Sequence, residues 1–308
     1  MTSRDSVLTR VARVRMSHEY TDSTLYDRLS TTVSPSSPFA SVLRHLAATE
    51  HRHYEFWRRY VPEEDPRLDR LKLYWVLFLR RVLGLTFASR YLDRHEASVV
   101  KEYEAITGLI PDADRTAFNE MVADEREHEN EFAQKVEGSA VRYISFVVLG
   151  LADALVEISG IHAGSLGIYD KTQIAGLAGV VAGAAASMAM ASAAYAQAKQ
   201  GFSGSAKLSA VYTGVSYFVS AVLLATPYFL TTSMFYALGI SLALAVLMLA
   251  LTTYYSTVIA AKPFAREFVE ILAILLGATA VLYLFGTFVG YETGVRASLT
   301  AAAASPLA

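Results

Sequence analysis

Residues 143–169 read YISFVVLGLADALVEISGIHAGSLGIY, a run that is apolar except at Asp153, Glu157 and His162. A helix that crosses a membrane needs about 20 predominantly apolar residues, so this run predicts a membrane-spanning helix. Further runs of the same kind follow along the chain. They are 172–198, two helices within 208–261 that Pro227 and the polar run 231–233 separate, and 268–291. The sequence therefore predicts five spans.

The charged residues are concentrated before these spans. Residues 1–142 hold 21 of the 27 Lys and Arg and 23 of the 29 Asp and Glu. Only 18% of the whole chain is charged, against about 25% of an ordinary soluble domain. We therefore divide the chain into a charged helical domain at 1–138, a membrane domain at 139–292 and an Ala-rich tail at 293–308. Fully soluble, disordered and fibrous classes are excluded.

The composition also limits the chemistry. The chain contains no cysteine, which excludes disulfides, thiol catalysis, iron–sulfur clusters and cysteine-ligated zinc. A metal ion must therefore be held by carboxylates, imidazoles or, weakly, by methionine. The net charge of −2 gives no reason to expect nucleic acid as a partner.

The charges between the spans predict the topology. With five spans the two ends of the membrane domain lie on opposite sides. If the N-terminal domain is cytosolic, five basic loop residues face the cytosol and two face the other side, as the positive-inside rule expects. The first 16 residues lack the apolar core of a secretory signal. We expect a multi-pass membrane protein, in the cell membrane if the source is prokaryotic, with a cytosolic N-terminal domain.

Two acids in the first span require a reason, since a carboxylate at membrane depth costs about 2.5–3.5 kcal/mol. Asp153 and Glu157 are four residues apart and share a helix face, which Gly160 and Gly164 continue. The face is interpreted as part of a cation path, and the alternative is a structural pair that hydrogen-bonds a neighbouring helix. His162 lies on the opposite face, where an interhelical hydrogen bond or an interface role is expected.

Other spans offer weaker candidates. Met188 and Met190 in the second span could supply thioether ligands, although packing explains Met188 better. Glu267 and Glu270 stand where the fifth span begins. They would form a vestibule for cations. An equally good interpretation is that they cap a helix N-terminus, where negative charges are favourable.

The first half shows helical periodicity, with helices predicted at about 17–33, 38–60, 67–107 and 112–137. Two of them carry the pattern Glu-x-x-His, at residues 50–53 and 125–128. At this spacing a carboxylate and an imidazole project from one side of a helix and can ligate one metal ion. The alternative is a charged, solvated helix face.

An acid in the preceding helix accompanies each motif. Glu19 and Glu96 come about thirty residues earlier, and each is followed seven residues later by a tyrosine, Tyr26 or Tyr103. Each tyrosine could hydrogen-bond a ligand. Four helices with this pattern match the ligands of a di-iron or di-manganese carboxylate bundle. The predicted ligands are Glu19, Glu50, His53, Glu96, Glu125 and His128, with Asp93 as a candidate additional ligand.

The two halves together resemble the membrane-bound ferritins of bacteria, in which a rubrerythrin-type, ferritin-like domain precedes a membrane domain of the vacuolar iron transporter family. In the first half the resemblance lies in the paired Glu-x-x-His and Glu-x6-Tyr elements. In the second it lies in LGLADALVEISG (149–160), SMAMASAAYAQAK (187–199) and YTGVSY (212–217). It implies an all-α fold, a ferritin-like four-helix bundle followed by five transmembrane helices, and a homodimer with its ion path near the first span.

The resemblance also implies an activity, namely export of Fe(II) or Mn(II) from the cytosol coupled to protons. The family alignment makes Met190 its methionine, and the predicted path is therefore Asp153, Glu157, Met190 and Glu270. The chain departs from the family at Ala152, where relatives usually have Asn, and at Ala194, where they have an acid. The loss of a membrane carboxylate at position 194 removes either a cation ligand or a proton carrier, and the second would affect proton-coupled transport.

Three functions are consistent with these observations. The first is a membrane exporter of iron or manganese whose bundle captures, oxidises or senses the metal. The second is a ferroxidase or peroxidase for which the spans are only an anchor. The third is a sensor in which metal orders the bundle. The sequence does not choose between iron and manganese, because both accept carboxylate and imidazole ligands.

Overall fold

The computed structural model describes the backbone of residues 3–135, 139–260 and 262–293, and their side chains except those of 3–5, 38, 93–98 and 127–142. Within these residues the fold is all-α, as predicted, and contains no strand. The chain divides into two compact units, Met1–Gly138 and Ser139–Ala308. The predicted tail lies outside the described residues from 294 onward.

Residues 3–135 of the first unit form five α-helices, two short 3₁₀ turns and their connections. The helices are α1 (Ser3–Ser30), α2 (Pro38–Arg58), α3 (Arg70–Leu83), α4 (Leu85–Ile106) and α5 (Arg115–Lys135). Helix α1 packs along α2, and α4 packs against α3 and α5. Local capping explains where α2 and α3 start. The Ser37 hydroxyl accepts a hydrogen bond from the Phe39 N–H at 3.2 Å, and the Asp69 carboxylate accepts one from the Lys72 N–H at 2.9 Å.

Two of the predicted helix boundaries differ from the structure. The segment 67–107, expected as one long or bent helix, is two helices that meet at Gly84. The φ of Gly84 is 92°, a conformation that side chains with a Cβ disfavour, so the glycine ends α3 and begins α4. The first helix begins at Ser3 instead of near residue 17. The polar stretch before residue 17 includes Leu8 and Ala12, both of which are buried in the core.

Two apolar clusters form the core of the first unit. One contains Trp57, Tyr103 and Phe118, whose rings lie about edge-to-face or tilted at centroid distances of 5.7–6.0 Å. The other contains leucines of α1 and α2 together with Val76 of α3. All of these side chains are at most slightly exposed, so their burial fixes how α1, α2, α4 and α5 present their remaining polar side chains.

The second unit contains five helices that are long and apolar enough to cross a membrane. In the part of the chain that the structure describes, their number agrees with the five predicted spans, and their length and composition indicate a multi-pass membrane protein. The helices are α6 (Ser139–Ile168), α7 (Thr172–Ala198), α8 (Ala206–Leu230), α9 (Met234–Ile259) and α10 (Phe264–Glu292). Pro227 lies inside α8 and does not end it; the break falls at Thr231, whose N–H bonds back to the Pro227 carbonyl at 3.1 Å.

Glycines allow α6 and α10 to approach each other closely. A Cβ placed at Gly286 would lie 2.1 Å from the Gly164 carbonyl oxygen, and one at Gly290 would lie 2.1 Å from that of Gly167. Only hydrogen is small enough at these positions. Such contacts replace the hydrophobic effect as the main source of helix association in a bilayer, so they hold α10 against α6.

Candidate metal centre

A compact group of acids and one imidazole lies inside the first unit. It consists of Glu19 on α1, Glu50 and His53 on α2, and Glu125 on α5. Each residue offers one ligand atom, and these atoms all lie within 4.8 Å of one another. The four residues are only 2–4% exposed, whereas carboxylates are almost never fully buried unless they are paired or bind a cation. The group is therefore a candidate metal centre.

The helices place these side chains by simple geometry. Glu50 and His53 are one turn apart on α2, and His53 Nδ1 lies 3.5 Å from a Glu50 oxygen. The same nitrogen lies 3.1 Å from an oxygen of Glu125, which α5 supplies. Glu19 arrives from α1, which packs along α2. Three helices thus supply the group. The members that come from different helices are far apart in the sequence.

A second layer of side chains orients the group. The Tyr103 hydroxyl donates a hydrogen bond to Glu19, and the Trp57 indole N–H donates to the Tyr103 oxygen at 3.3 Å. The Arg15 guanidinium lies 5.0 Å from the centre of the Tyr103 ring. Tyr103 was predicted to support a ligand, and the ligand it contacts belongs to α1. Trp57 and Arg15 were not predicted, because nothing in their local sequence distinguishes them from core or surface residues.

Asp124 completes this layer next to the imidazole. Its carboxylate lies 3.4 Å from His53 Nε2 and accepts a hydrogen bond from Arg52 at 3.2 Å. A carboxylate on the outer nitrogen is the usual partner of a metal-bound histidine, since it fixes the ring and raises its basicity. Sequence reasoning missed Asp124, although its position directly before Glu125 was the available signal. Tyr26, the other predicted supporting tyrosine, is buried and lines the same cavity as Glu19 and Glu50.

Burial and mutual repulsion shift the protonation of the group. Burial, followed by the charges of Glu50 and Glu125, raises the pKa of Glu19 well above the usual 4.5. Burial opposes the charged form of His53, but hydrogen bonds to neighbouring carboxylates outweigh it and raise its pKa well above 6.5. The hydrogen bond from His53 is the largest influence on Asp124 and lowers its pKa. The raised pKa values of Glu19 and His53 favour their protonated forms when no cation is bound.

The donor set fits a hard or borderline divalent cation. Carboxylate oxygens and one imidazole nitrogen are the ligands that iron and manganese accept. In the deprotonated form that binds a metal ion, three carboxylates and a neutral imidazole would carry a charge of about −3, which a divalent ion would largely neutralise in a medium where an uncompensated charge is costly. Beside the group lies a cavity of about 730 Å³, lined by residues of the first unit that include Glu19, Glu50 and Glu125.

Three of the predicted ligands cannot be placed. The side chains of Asp93, Glu96 and His128 lie outside the described residues. The structure therefore brings together Glu19, Glu50, His53 and Glu125 out of the predicted set. Two metal ions would require more donors than these four, and the prediction of a di-metal centre stays a prediction.

The two acids of α6 are half-buried within the second unit. The Tyr217 hydroxyl on α8 donates a hydrogen bond of 2.6 Å to Glu157. Met190 of α7 packs against the apolar cluster that contains Tyr217 and Ala154. Among the described residues of this unit, the structure gathers no group of three or more His, Asp or Glu side chains that could hold a metal ion.

Two other predicted residues of the second unit have local roles. Glu270 is exposed and forms an ion pair of 2.9 Å with Arg266, one turn earlier on α10. His162 is fully buried and packs against the Tyr228 ring in a tilted arrangement, at a centroid distance of 4.2 Å. Among the described residues, neither His162 nitrogen has a hydrogen-bond partner. Of the two predicted alternatives, the structure therefore shows the interface residue and not the interhelical hydrogen bond.

Comparisons of the chain with models of protein families, with curated proteins and with solved structures find no match. The structure itself defines the class. This is an all-helical protein with five helices long and apolar enough to cross a membrane, and its other unit contains a buried Glu and His group that could hold a metal ion.

Proposed function

We propose that this protein is a membrane transporter that exports Fe(II) or Mn(II) from the cytosol, and that its first unit is a ferritin-like bundle that captures the metal. The buried group of Glu19, Glu50, His53 and Glu125 carries the proposal. A solvated charged face would leave these side chains exposed, but they are 2–4% exposed. One chain thus combines a site suited to a divalent cation with five apolar helices.

The capture step rests on charge and ligand chemistry. Iron or manganese entering the group would displace protons from Glu19 and neutralise the mutual repulsion of the three carboxylates. Glu96 and His128 would add the donors for a second ion, as the repeated Glu-x-x-His pattern suggests. Tyr103 and Asp124 would hold Glu19 and His53 in place through their hydrogen bonds.

The transport step is assigned to the first span. Asp153 and Glu157 share one face of α6. Acids within a membrane span are energetically costly and usually mark the path of a cation or a proton. Met190 would add a thioether ligand, and Glu270 would attract cations where α10 begins. A cytosolic first unit and a homodimer complete the proposal, which the positive-inside charge distribution and the resemblance to bacterial membrane-bound ferritins support.

Metal flux in reconstituted vesicles tests this function. The full chain is placed in liposomes that contain a metal-sensitive dye, and Fe(II) or Mn(II) is added outside. We expect protein-dependent uptake, and we expect Asp153→Asn/Glu157→Gln to abolish it. Glu292→Gln, a change of an exposed acid at the end of α10, is the matched control and should transport normally. Equal transport by the double variant would remove α6 from the path.

A ferroxidase anchored by its spans is the second candidate. The cavity beside the acidic group gives room for dioxygen or peroxide, and Ala194 provides no carboxylate where the transporter family has one. In this case the full chain would oxidise many equivalents of Fe(II) with consumption of oxygen, while the same preparation would transport no metal in liposomes. Transport without rapid multi-turnover oxidation would favour the exporter.

A further inference from the structure

Helix α3 exposes an apolar stripe that its own unit does not cover. Five large side chains on this helix are far more exposed than those of a packed helix. They are Leu71 (83%), Tyr74 (67%), Trp75 (48%), Phe78 (53%) and Val82 (59%). The described part of the first unit exposes only two other large apolar side chains, Val7 and Val14. The exposed apolar surface is therefore concentrated on one helix.

The stripe is a regular face and not a frayed segment. At about 100° per residue, the five positions fall within an arc of about 100°. The opposite side of α3 packs into the core through Leu73, Val76 and Leu79, which are at most 7% exposed. The rings of Trp75 and Phe78 stack at 5.7 Å. A contiguous apolar patch on a firmly packed helix is typical of a surface that meets a partner or a membrane.

The charges of α3 indicate which partner it meets. The helix carries four basic residues and no acid. Lys72 is neutralised by Asp22 at 2.5 Å, and Arg80 bonds to the hydroxyl and carbonyl of Thr32. Arg70 and Arg81 are exposed, and the helical period places both along the same edge of the stripe. The face therefore joins an apolar strip to two available positive charges.

We propose that this face of α3 lies in the interface of an anionic lipid bilayer. Basic residues beside Trp, Phe and Leu characterise helices that lie in the plane of a membrane surface. Trp75 and Tyr74 belong to the residue types that prefer the headgroup region. The spans of the second unit keep the chain at a bilayer. The inference does not depend on metal transport.

Charge argues against a second copy of the chain as the partner. If two α3 helices paired antiparallel through this stripe around a two-fold axis, each arginine would approach the basic edge of the other copy. The helix has no acid to compensate this repulsion. Anionic headgroups, by contrast, attract each lysine or arginine near the surface, by about fivefold in binding.

Spin labels test the inference directly, because the chain has no cysteine to remove. Phe78→Cys and Val82→Cys, each labelled with a nitroxide, are studied in the full chain in nanodiscs that contain phosphatidylglycerol. Oxygen is concentrated in lipid and the nickel chelate in water. We therefore expect each nitroxide to collide more often with dissolved oxygen than with a water-soluble nickel chelate. Val14→Cys is the matched control, since Val14 is an equally apolar exposed residue on α1, and its label should report water.

The arginines provide the second arm of the experiment. Arg70→Gln/Arg81→Gln should reduce the lipid contact of the label at position 78 by about fivefold for each charge at low salt. Neutral phosphatidylcholine discs should reduce it similarly. Arg10→Gln/Arg44→Gln, which removes two exposed arginines elsewhere on the first unit, should leave it unchanged.

Two results would overturn the inference. One is a label at positions 78 and 82 that reports water in anionic discs, as at position 14. The other is dipolar broadening between labels, which would show that a second copy covers the stripe. Because both positions are exposed, neither cysteine substitution should prevent folding, and circular dichroism of each variant checks this.

Discussion

The Tyr103 hydroxyl on α4 donates a hydrogen bond to the Glu19 carboxylate on α1, and both side chains are buried. The two residues are 84 positions apart in the chain. Their contact joins two helices at the candidate metal centre, and Trp57 of α2 extends it with a hydrogen bond to the same hydroxyl. A bond of this kind both stabilises the unit and fixes the direction of a ligand oxygen.

Tyr103→Phe should therefore affect metal binding and stability together. Loss of the donor leaves a buried carboxylate less well satisfied and should lower the free energy of unfolding by about 1–2 kcal/mol. Metal affinity should fall by about tenfold, as expected for a residue that orients a ligand. Calorimetric titration with Mn(II) measures the affinity. Tyr60→Phe is the control. The Tyr60 hydroxyl donates a hydrogen bond of 2.5 Å to Asp114, which is not a member of the group, so its loss should leave metal affinity intact.

Glu50→Gln should remove metal without unfolding the protein. The substitution keeps the shape of the side chain but removes one of three buried, mutually repelling carboxylates. We expect the metal content per chain, measured by elemental analysis, to fall sharply, while the metal-free protein is at least as stable as the parent. Glu55→Gln changes an exposed acid on the same helix and should retain the metal. A normal metal content in Glu50→Gln would show that Glu50 is not a ligand.

Metal affinity should increase with pH. The pKa of Glu19 is raised well above 4.5 by burial and by Glu50 and Glu125. Between the unfolded and folded pKa values the folded, metal-free protein binds more protons than the unfolded chain, so its stability falls as the pH rises through this window. The raised pKa of His53 acts in the same direction above 6.5. Metal binding releases these protons and should reverse the trend.

Thermal unfolding with and without Mn(II), followed across the mildly acidic to neutral range, measures this effect. The stabilisation by metal should grow with pH in the parent protein. In Glu19→Gln the part of the pH dependence that comes from Glu19 should disappear. A stabilisation by Mn(II) that is independent of pH would contradict binding at this group.

Gly286→Ala should separate α10 from α6. The added methyl group would lie 2.1 Å from the Gly164 carbonyl oxygen, so the two backbones must move apart, at a cost of about 1–3 kcal/mol. Gly277→Ala on the same helix meets nothing within 4 Å and should be neutral. Unfolding of the detergent-solubilised full chain compares the two variants. Equal stability would mean that the close contact of α6 and α10 is not needed.

The sequence alone was sufficient to predict most of the helices and the five membrane segments. Runs such as 143–169 are too apolar and too long for any other structure, because a backbone in lipid must satisfy its hydrogen bonds within one helix. The Glu-x-x-His spacing at 50–53 likewise places both side chains on one side of α2 wherever the helix lies. These features depend on local periodicity and composition. There are two exceptions. At Gly84 one backbone conformation divides a helix that periodicity predicts as continuous, and α1 begins at Ser3 instead of near residue 17.

Only the tertiary structure decided which side chains meet. Their spacing predicts Glu19 and Glu125 as ligands, but it is the packing of α1, α2 and α5 that buries them beside His53. Sequence spacing pairs Tyr103 with Glu96, yet its hydroxyl reaches Glu19 on another helix. Trp57 carries no local signal at all, and the only local signal of Asp124 is its position directly before Glu125. Contacts between distant residues depend on how apolar surfaces fit together, which is a property of the whole core and not of any short stretch.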